Sequence, residues 1–192
     1  MDAFSFVFTL FGLVLGLALT EVFSGFGAAM QERHKIRVGW LTPLLGVVVS
    51  LDLISFWSFA WFSRKLVPVH PLVLQCALVI TGIYYLAARM VFPHDRDEWP
   101  DYNEYYFANR HWVIGGILVC NVLLILGQLA LGFNPLQLRA DQLGAALLFA
   151  ELVALMIIRN RLASVAILAL VAAAYPIAAI ISYTTKCGGL CP

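Results

Sequence analysis

The sequence predicts an all-α membrane protein: a polytopic bundle of six transmembrane helices with the N- and C-termini outside. Three observations carry this expectation. First, 62% of the 192 residues are hydrophobic and only 12% are charged. Soluble domains hold about 45–50% and about 25%, so this chain cannot clothe itself in an ordinary water-facing surface. Second, apolar runs fall at about 4–30, 39–63, 71–92, 111–133, 142–158 and 162–183, each bounded by charges, Pro or Gly. Roughly 20 apolar residues cross the hydrocarbon as a helix, whereas barrel strands are far shorter. Third, the basic residues divide unequally between the two sets of helix ends. Arg33, Lys35, Arg37, Arg89, Arg96, Arg110, Arg159 and Arg161 lie on one side, and Arg64, Lys65, Arg139 and Lys186 on the other. Lys and Arg are retained in the cytoplasm, which places the first set there. The whole chain, 1–192, reads as one domain. MDAFSF lacks a basic leader region and reads as the start of a retained helix. A net charge of +1 gives no case for nucleic acid.

In helix one, Ser5, Thr9, Gly12, Gly16, Thr20, Ser24 and Gly27 recur every three or four residues and make one stripe. Small residues let another helix approach closely in lipid. Glu21 sits beside this stripe, so it is expected near a helix contact. Helix two carries Asp52 in VVVSLDLISFW, and helix three carries Tyr84 and Tyr85. Arg89 ends helix three, where it meets headgroups or reaches Glu151. Residues 93–112, PHDRDEWPDYNEYYFANRHW, begin as an acidic turn. From Asp101 they become an aromatic interfacial helix that feeds directly into helix four, with Tyr102, Tyr105, Tyr106, Phe107 and Trp112 at headgroup level. Asn121 lies in helix four and Glu151 in helix five. In helix six, Pro176 follows Tyr175 and removes one ladder hydrogen bond, which predicts a kink. The tail KCGGLCP places Cys187 and Cys191 on the outer, oxidising side, where they either form a disulfide or stay free thiols.

Rise per residue gives depths from the cytoplasmic ends of about 15 Å for Glu21, 20 Å for Asp52, 12 Å for Glu151, 16 Å for Asn121 and 12 Å for Tyr84 and Tyr85. Five helices thus offer a polar group in the inner half of the membrane. An intramembrane carboxylate is costly when ionised and is a functional candidate for that reason. With no basic residue equally deep, Glu21, Asp52, Glu151 and Asn121 are the expected ion or proton pathway, and Tyr84, Tyr85 and Tyr175 secondary members. The alternative is that the same groups only hydrogen-bond helices together.

No HExxH, GxSxG, phosphate loop or dinucleotide fingerprint occurs. All four His stand at span ends, which speaks against an intramembrane haem. No catalytic residue, metal or cofactor is expected. The expected functions are a proton or small-cation transporter or channel subunit, or a structural or accessory membrane subunit; a lipid or quinone enzyme using the cytoplasmic acids is the third. Six helices make a thin bundle, so a homo-oligomer joined through the helix-one stripe is expected, with the lipid bilayer as the other partner.

Thr20-Glu21, the stretch GWLTPLL leading into helix two, and DYNEYYFANRHWVIGG before helix four resemble a family of small multi-pass bacterial inner-membrane proteins. That family has a Tyr-rich segment followed by Asn/Ser-Arg-x-Trp at the start of a span. The resemblance implies a bacterial inner-membrane location and brings no activity or site residues with it.

Overall fold

The computed structural model describes residues 3–62, 70–95, 98–130, 132 and 139–187, without the side chains of 3–7, 59, 62, 139–141 and 182–187. Six helices follow one another: α1 (Ala3–Glu32), α2 (Leu41–Phe62), α3 (Pro71–Arg89), α4 (Tyr102–Ala130), α5 (Arg139–Ile157) and α6 (Arg161–Cys187). No strand occurs among the described residues. Five helices carry apolar stretches long enough to cross a membrane: Phe8–Glu32, Leu41–Ser58, Pro71–Arg89, Tyr102–Ala130 and Arg161–Ile181. The described apolar part of α5, Gln142–Ile157, is shorter. It covers about 24 Å of rise against a hydrocarbon thickness of about 30 Å.

The bundle is organised around α2, the most enclosed of the five long apolar helices. Its Leu45, Val48, Val49 and Leu53 are buried on all sides, because α1, α3, α4 and α6 all pack against it. α5 stands outside, against α4 and α6. Outward positions are apolar as well: Leu13, Leu17, Leu86, Leu126, Leu147 and Ile180 are all exposed. A helical bundle that is apolar both inside and out is compatible with an integral membrane protein.

One end of the bundle gathers the turns after α1, α3 and α5, and it carries most of the described basic residues. Here the backbone pairs across two turns, with Arg37 N–H donating to the Pro100 carbonyl at 3.1 Å and Tyr102 N–H to the Arg37 carbonyl at 3.0 Å. Thr42 at the start of α2 donates to the Tyr102 carbonyl at 2.7 Å. Asp101 caps α4 by accepting from Asn103 N–H at 2.8 Å, and its other oxygen lies 3.7 Å from Arg161. Gly39 adopts φ of 61°, with the Asn103 amide where a Cβ would stand. A side chain there would be both strained and blocked.

Arg110, one of the basic residues of this end, is buried. Its guanidinium donates to the Ile158 carbonyl just past α5 and lies over the Phe107 ring. A cation at a helix C-terminus meets the unsatisfied carbonyls and the negative end of the dipole. Arg110 thereby ties the end of α5 beside the beginning of α4.

α4 is continuous from Tyr102, so the aromatic segment does run directly into helix four. Its tyrosines, however, are not headgroup anchors. Tyr102, Tyr105 and Tyr106 are buried. Tyr105 donates toward the carbonyls of Met90 at 3.1 Å and Phe92 at 3.3 Å, closing the turn after α3. Trp112 and Trp40, by contrast, are exposed, as anchors would be.

Candidate functional site

Asp52 lies mid-way along the enclosed helix α2 and is 3% exposed. Three other helices each bring it a neutral donor. Tyr84 of α3 donates to Oδ2 at 2.7 Å, and Tyr175 of α6 donates to Oδ1 at 2.7 Å. Asn121 of α4 places Nδ2 at 3.3 Å from both oxygens, while the same nitrogen donates to the Ile117 carbonyl at 3.0 Å. That second bond turns the amide nitrogen, and not its oxygen, toward the carboxyl. No basic side chain touches Asp52 among the described residues.

Local sequence explains each placement. Tyr84 falls on the buried face of α3 with Thr81, Ala87 and Ala88. Ala87 and Gly116 nearly touch, since a Cβ on Gly116 would lie 2.9 Å from that of Ala87. This close approach brings α3 and α4 together one turn from the cluster. Tyr175 immediately precedes Pro176, through which α6 continues as a helix. The Cys120 thiol donates to the Ile80 carbonyl at 3.4 Å beside the cluster. Glu151 lies on α5, the helix packed beside α6, and is only half-buried.

Chemically, the cluster is one acid surrounded by groups that can reverse their O–H direction. A carboxylate accepts from both tyrosines. A protonated acid instead donates to one of them, and that tyrosine hydroxyl must then turn elsewhere. The arrangement can therefore accommodate Asp52 in either protonation state.

Glu21 does not join this cluster. It meets Tyr85, whose hydroxyl donates to Oε1 at 3.2 Å, and Arg89, whose Nη1 is 3.8 Å from the same oxygen. Arg89 also donates to the Tyr85 hydroxyl at 3.3 Å. The expectation that Glu21 lacks a neutralising cation is thus overturned, and Arg89 reaches Glu21 where Glu151 was the carboxylate expected. The cause is register. Counting along α1 assumes that neighbouring helices end on one plane, but Glu21 lies level with the last turn of α3 and α1 runs on for eleven residues to Glu32.

Apart from Gly12, which packs on Trp57 of α2, the small-residue stripe faces away from the bundle. Thr9, Thr20, Ser24 and Gly27 are exposed and Gly12 and Gly16 half-buried, while the inner face of α1 is Phe11, Leu15, Ala18, Val22 and Ala29. A Cβ added at Gly16 or Gly27 would meet nothing within 4 Å. The pair Cys187 and Cys191 lies outside the described residues, apart from the backbone of Cys187 at the end of α6.

Of the expected pathway residues, Asp52, Asn121, Tyr84 and Tyr175 come together, Glu151 makes no hydrogen bond with them, and Glu21 and Tyr85 form a separate pair. The spacing of four between Tyr85 and Arg89 puts both on one helical face, which is the signal in the sequence that links them.

No family model matches the chain, and no curated protein or solved structure matches it.

Proposed function

We propose that this integral membrane protein moves protons through its helical bundle, with Asp52 as the group that takes up and releases them. The observation that carries the proposal is the setting of Asp52: a carboxyl group deep in the most enclosed long apolar helix, held by Tyr84, Tyr175 and Asn121 with no cation beside it among the described residues. A fixed ion pair would trap the charge of an acid. Neutral, reorientable donors let either protonation state be accommodated. Glu151, the half-buried acid on neighbouring α5, is the second station. Glu21 is left outside the path, because Arg89 holds its charge at the rim. A small cation in place of a proton is the less suitable cargo, since the two oxygens of Asp52 are already occupied by hydrogen-bond donors and cations need oxygen ligands.

The remaining elements of this reading are a crossing by α5, both termini outside, a bacterial inner-membrane location and a homo-oligomer. The α5 crossing is supported by its two ends, since it follows the far end of α4 and its last carbonyls lie beside Arg110 near the beginning of α4. The outward stripe of α1 is the surface suited to a second copy. The experiment is proton flux into liposomes of the purified protein, followed with a pH-sensitive dye. The parent should conduct, and Asp52→Asn, which keeps the shape but cannot ionise, should not. Glu151→Gln should slow the flux.

A second reading has its own support. Both oxygens of Asp52 are satisfied by hydrogen bonds from three helices, which is what a purely structural clasp requires. Under that reading the parent carries no flux, and the substitutions alter stability alone.

A further inference from the structure

At the basic end, the seam between α1 and α3 opens into a cleft of about 120 Å³. Glu21, Ser24 and Gly25 of α1 form one side, and Arg89 with Phe92 and His94 the other. Gly25 sets the floor. A Cβ there would lie 2.2 Å from the Phe92 ring, so only glycine lets the turn after α3 come this close to α1.

The polar groups of the cleft are only partly used. Glu21 and Arg89 approach to 3.8 Å, longer than a direct hydrogen bond, and the Tyr85 hydroxyl serves both. Among the described residues, Glu21 Oε2, the Ser24 hydroxyl, the His94 ring and the rest of the Arg89 guanidinium have no hydrogen-bond partner. The acceptors lie on α1, and the cation with its N–H groups lies opposite. A lone anion would be repelled by Glu21 and a lone cation by Arg89. A ligand carrying both charges satisfies both sides.

Position narrows the ligand further. The cleft lies where the apolar span of α3 stops at Arg89, the level of lipid headgroups. Further along the same seam is a shallow apolar depression of about 10 Å³, lined by Leu10, Val14, Leu74 and Leu78, against whose rim an acyl chain can lie. Glu21 and Val14 are separated by about 10 Å of helix rise, a distance that a lipid chain spans easily.

We propose that this cleft binds the head group of a phospholipid bearing a primary amine, such as phosphatidylethanolamine. The ammonium donates to Glu21 and Ser24, the phosphate accepts from Arg89 and His94, and an acyl chain lies along the apolar surface of the seam. A primary ammonium has three N–H donors for the two acceptors. A quaternary ammonium has none and is recognised by aromatic cages, and an anionic glycerol head group would face the Glu21 carboxylate.

The test is native mass spectrometry of the full purified chain with phosphatidylethanolamine, phosphatidylcholine and phosphatidylglycerol of identical acyl chains. Phosphatidylethanolamine should bind about tenfold more tightly than either of the others, the worth of one charge-assisted hydrogen bond. Glu21→Gln should erase the preference over phosphatidylcholine. Arg89→Gln and His94→Gln should each weaken binding of phosphatidylethanolamine. Should Glu21→Gln fail to fold, Ser24→Ala at an exposed position reads the ammonium side, with a smaller loss of the same preference. Equal binding of the three lipids would overturn the proposal, as would a preference that survives these substitutions. Displacement of the lipid by free phosphoethanolamine at similar concentration would assign the cleft to a soluble zwitterion and overturn the lipid assignment.

Discussion

Replacing Tyr84 by Phe removes one hydroxyl from the Asp52 cluster and leaves the ring in place. The two partners are 1% and 3% exposed, and their bond is 2.7 Å. Without the hydroxyl, Asp52 Oδ2 keeps only the 3.3 Å approach of Asn121. Hydrogen bonds to a charged group contribute about 1.5–3 kcal/mol in soluble proteins. Between membrane helices the average is about 0.6 and the maximum about 1.7 kcal/mol, because separated helices find other partners in the membrane. A short bond with both ends buried belongs at the upper part of the second range, so Tyr84→Phe should cost about 1–1.7 kcal/mol. The neighbouring residue supplies the control. Tyr85 donates over 3.2 Å to Glu21, whose side chain is 35% exposed, and water or headgroups can replace that hydroxyl. Tyr85→Phe should cost less than about 0.5 kcal/mol. The assay is reversible unfolding in mixed micelles across an SDS titration, with a double-mutant cycle through Asp52→Asn. The cycle should show that most of the Tyr84 effect disappears once Asp52 is changed. Equal costs for the two tyrosines, or additivity with Asp52→Asn, would refute the reasoning.

Two further outcomes follow from the α1 seam and the basic end. Gly25→Ala should destabilise by about 1–3 kcal/mol in the same assay, the usual cost of overpacking, because its Cβ meets the Phe92 side chain. Gly16→Ala should not destabilise the monomer, since nothing stands within 4 Å and alanine favours the helix. In a background without native cysteines, a membrane-impermeant thiol reagent added outside should label Leu66→Cys and spare His34→Cys. The reverse pattern would invert the proposed orientation.

How far the sequence discloses this arrangement depends on which physical signal each residue carries. Hydropathy locates the helices within a few residues, because an apolar run bounded by charges has few alternatives, except that α4 begins at Tyr102, ahead of its apolar run at 111. The same signal does not say which face of a helix is inward when both faces are apolar. Small residues at helical spacing on α1 therefore read as a packing face, yet within this chain Phe11, Leu15, Ala18 and Val22 are the buried ones. The members of the Asp52 cluster are each legible as polar residues in apolar surroundings. Their meeting is not, since it depends on the rotation of four helices. Glu21 is misjudged because depth measured along one helix ignores the offset of its neighbour, and α3 stops level with it. The tyrosines of α4 are misjudged because aromatic residues at a span boundary suit both a headgroup layer and a packed turn. Their hydroxyls decide the matter, with Tyr105 bound to the carbonyls after α3. Arg110 counts as a surface charge in any tally of basic residues, and only the end of α5 explains why it is buried.

The most direct measurement of the central claim is infrared difference spectroscopy on the reconstituted protein during a pH jump, set against Asp52→Asn. If Asp52 takes up and releases protons, the parent should show a carboxyl C=O band that exchanges with carboxylate bands as pH rises, and this band should be missing from Asp52→Asn. It should be shifted in Tyr175→Phe, because that hydroxyl is bonded to the same group. A parent spectrum identical to that of Asp52→Asn across the pH range in which both remain folded would mean that Asp52 keeps one protonation state, and would contradict the account.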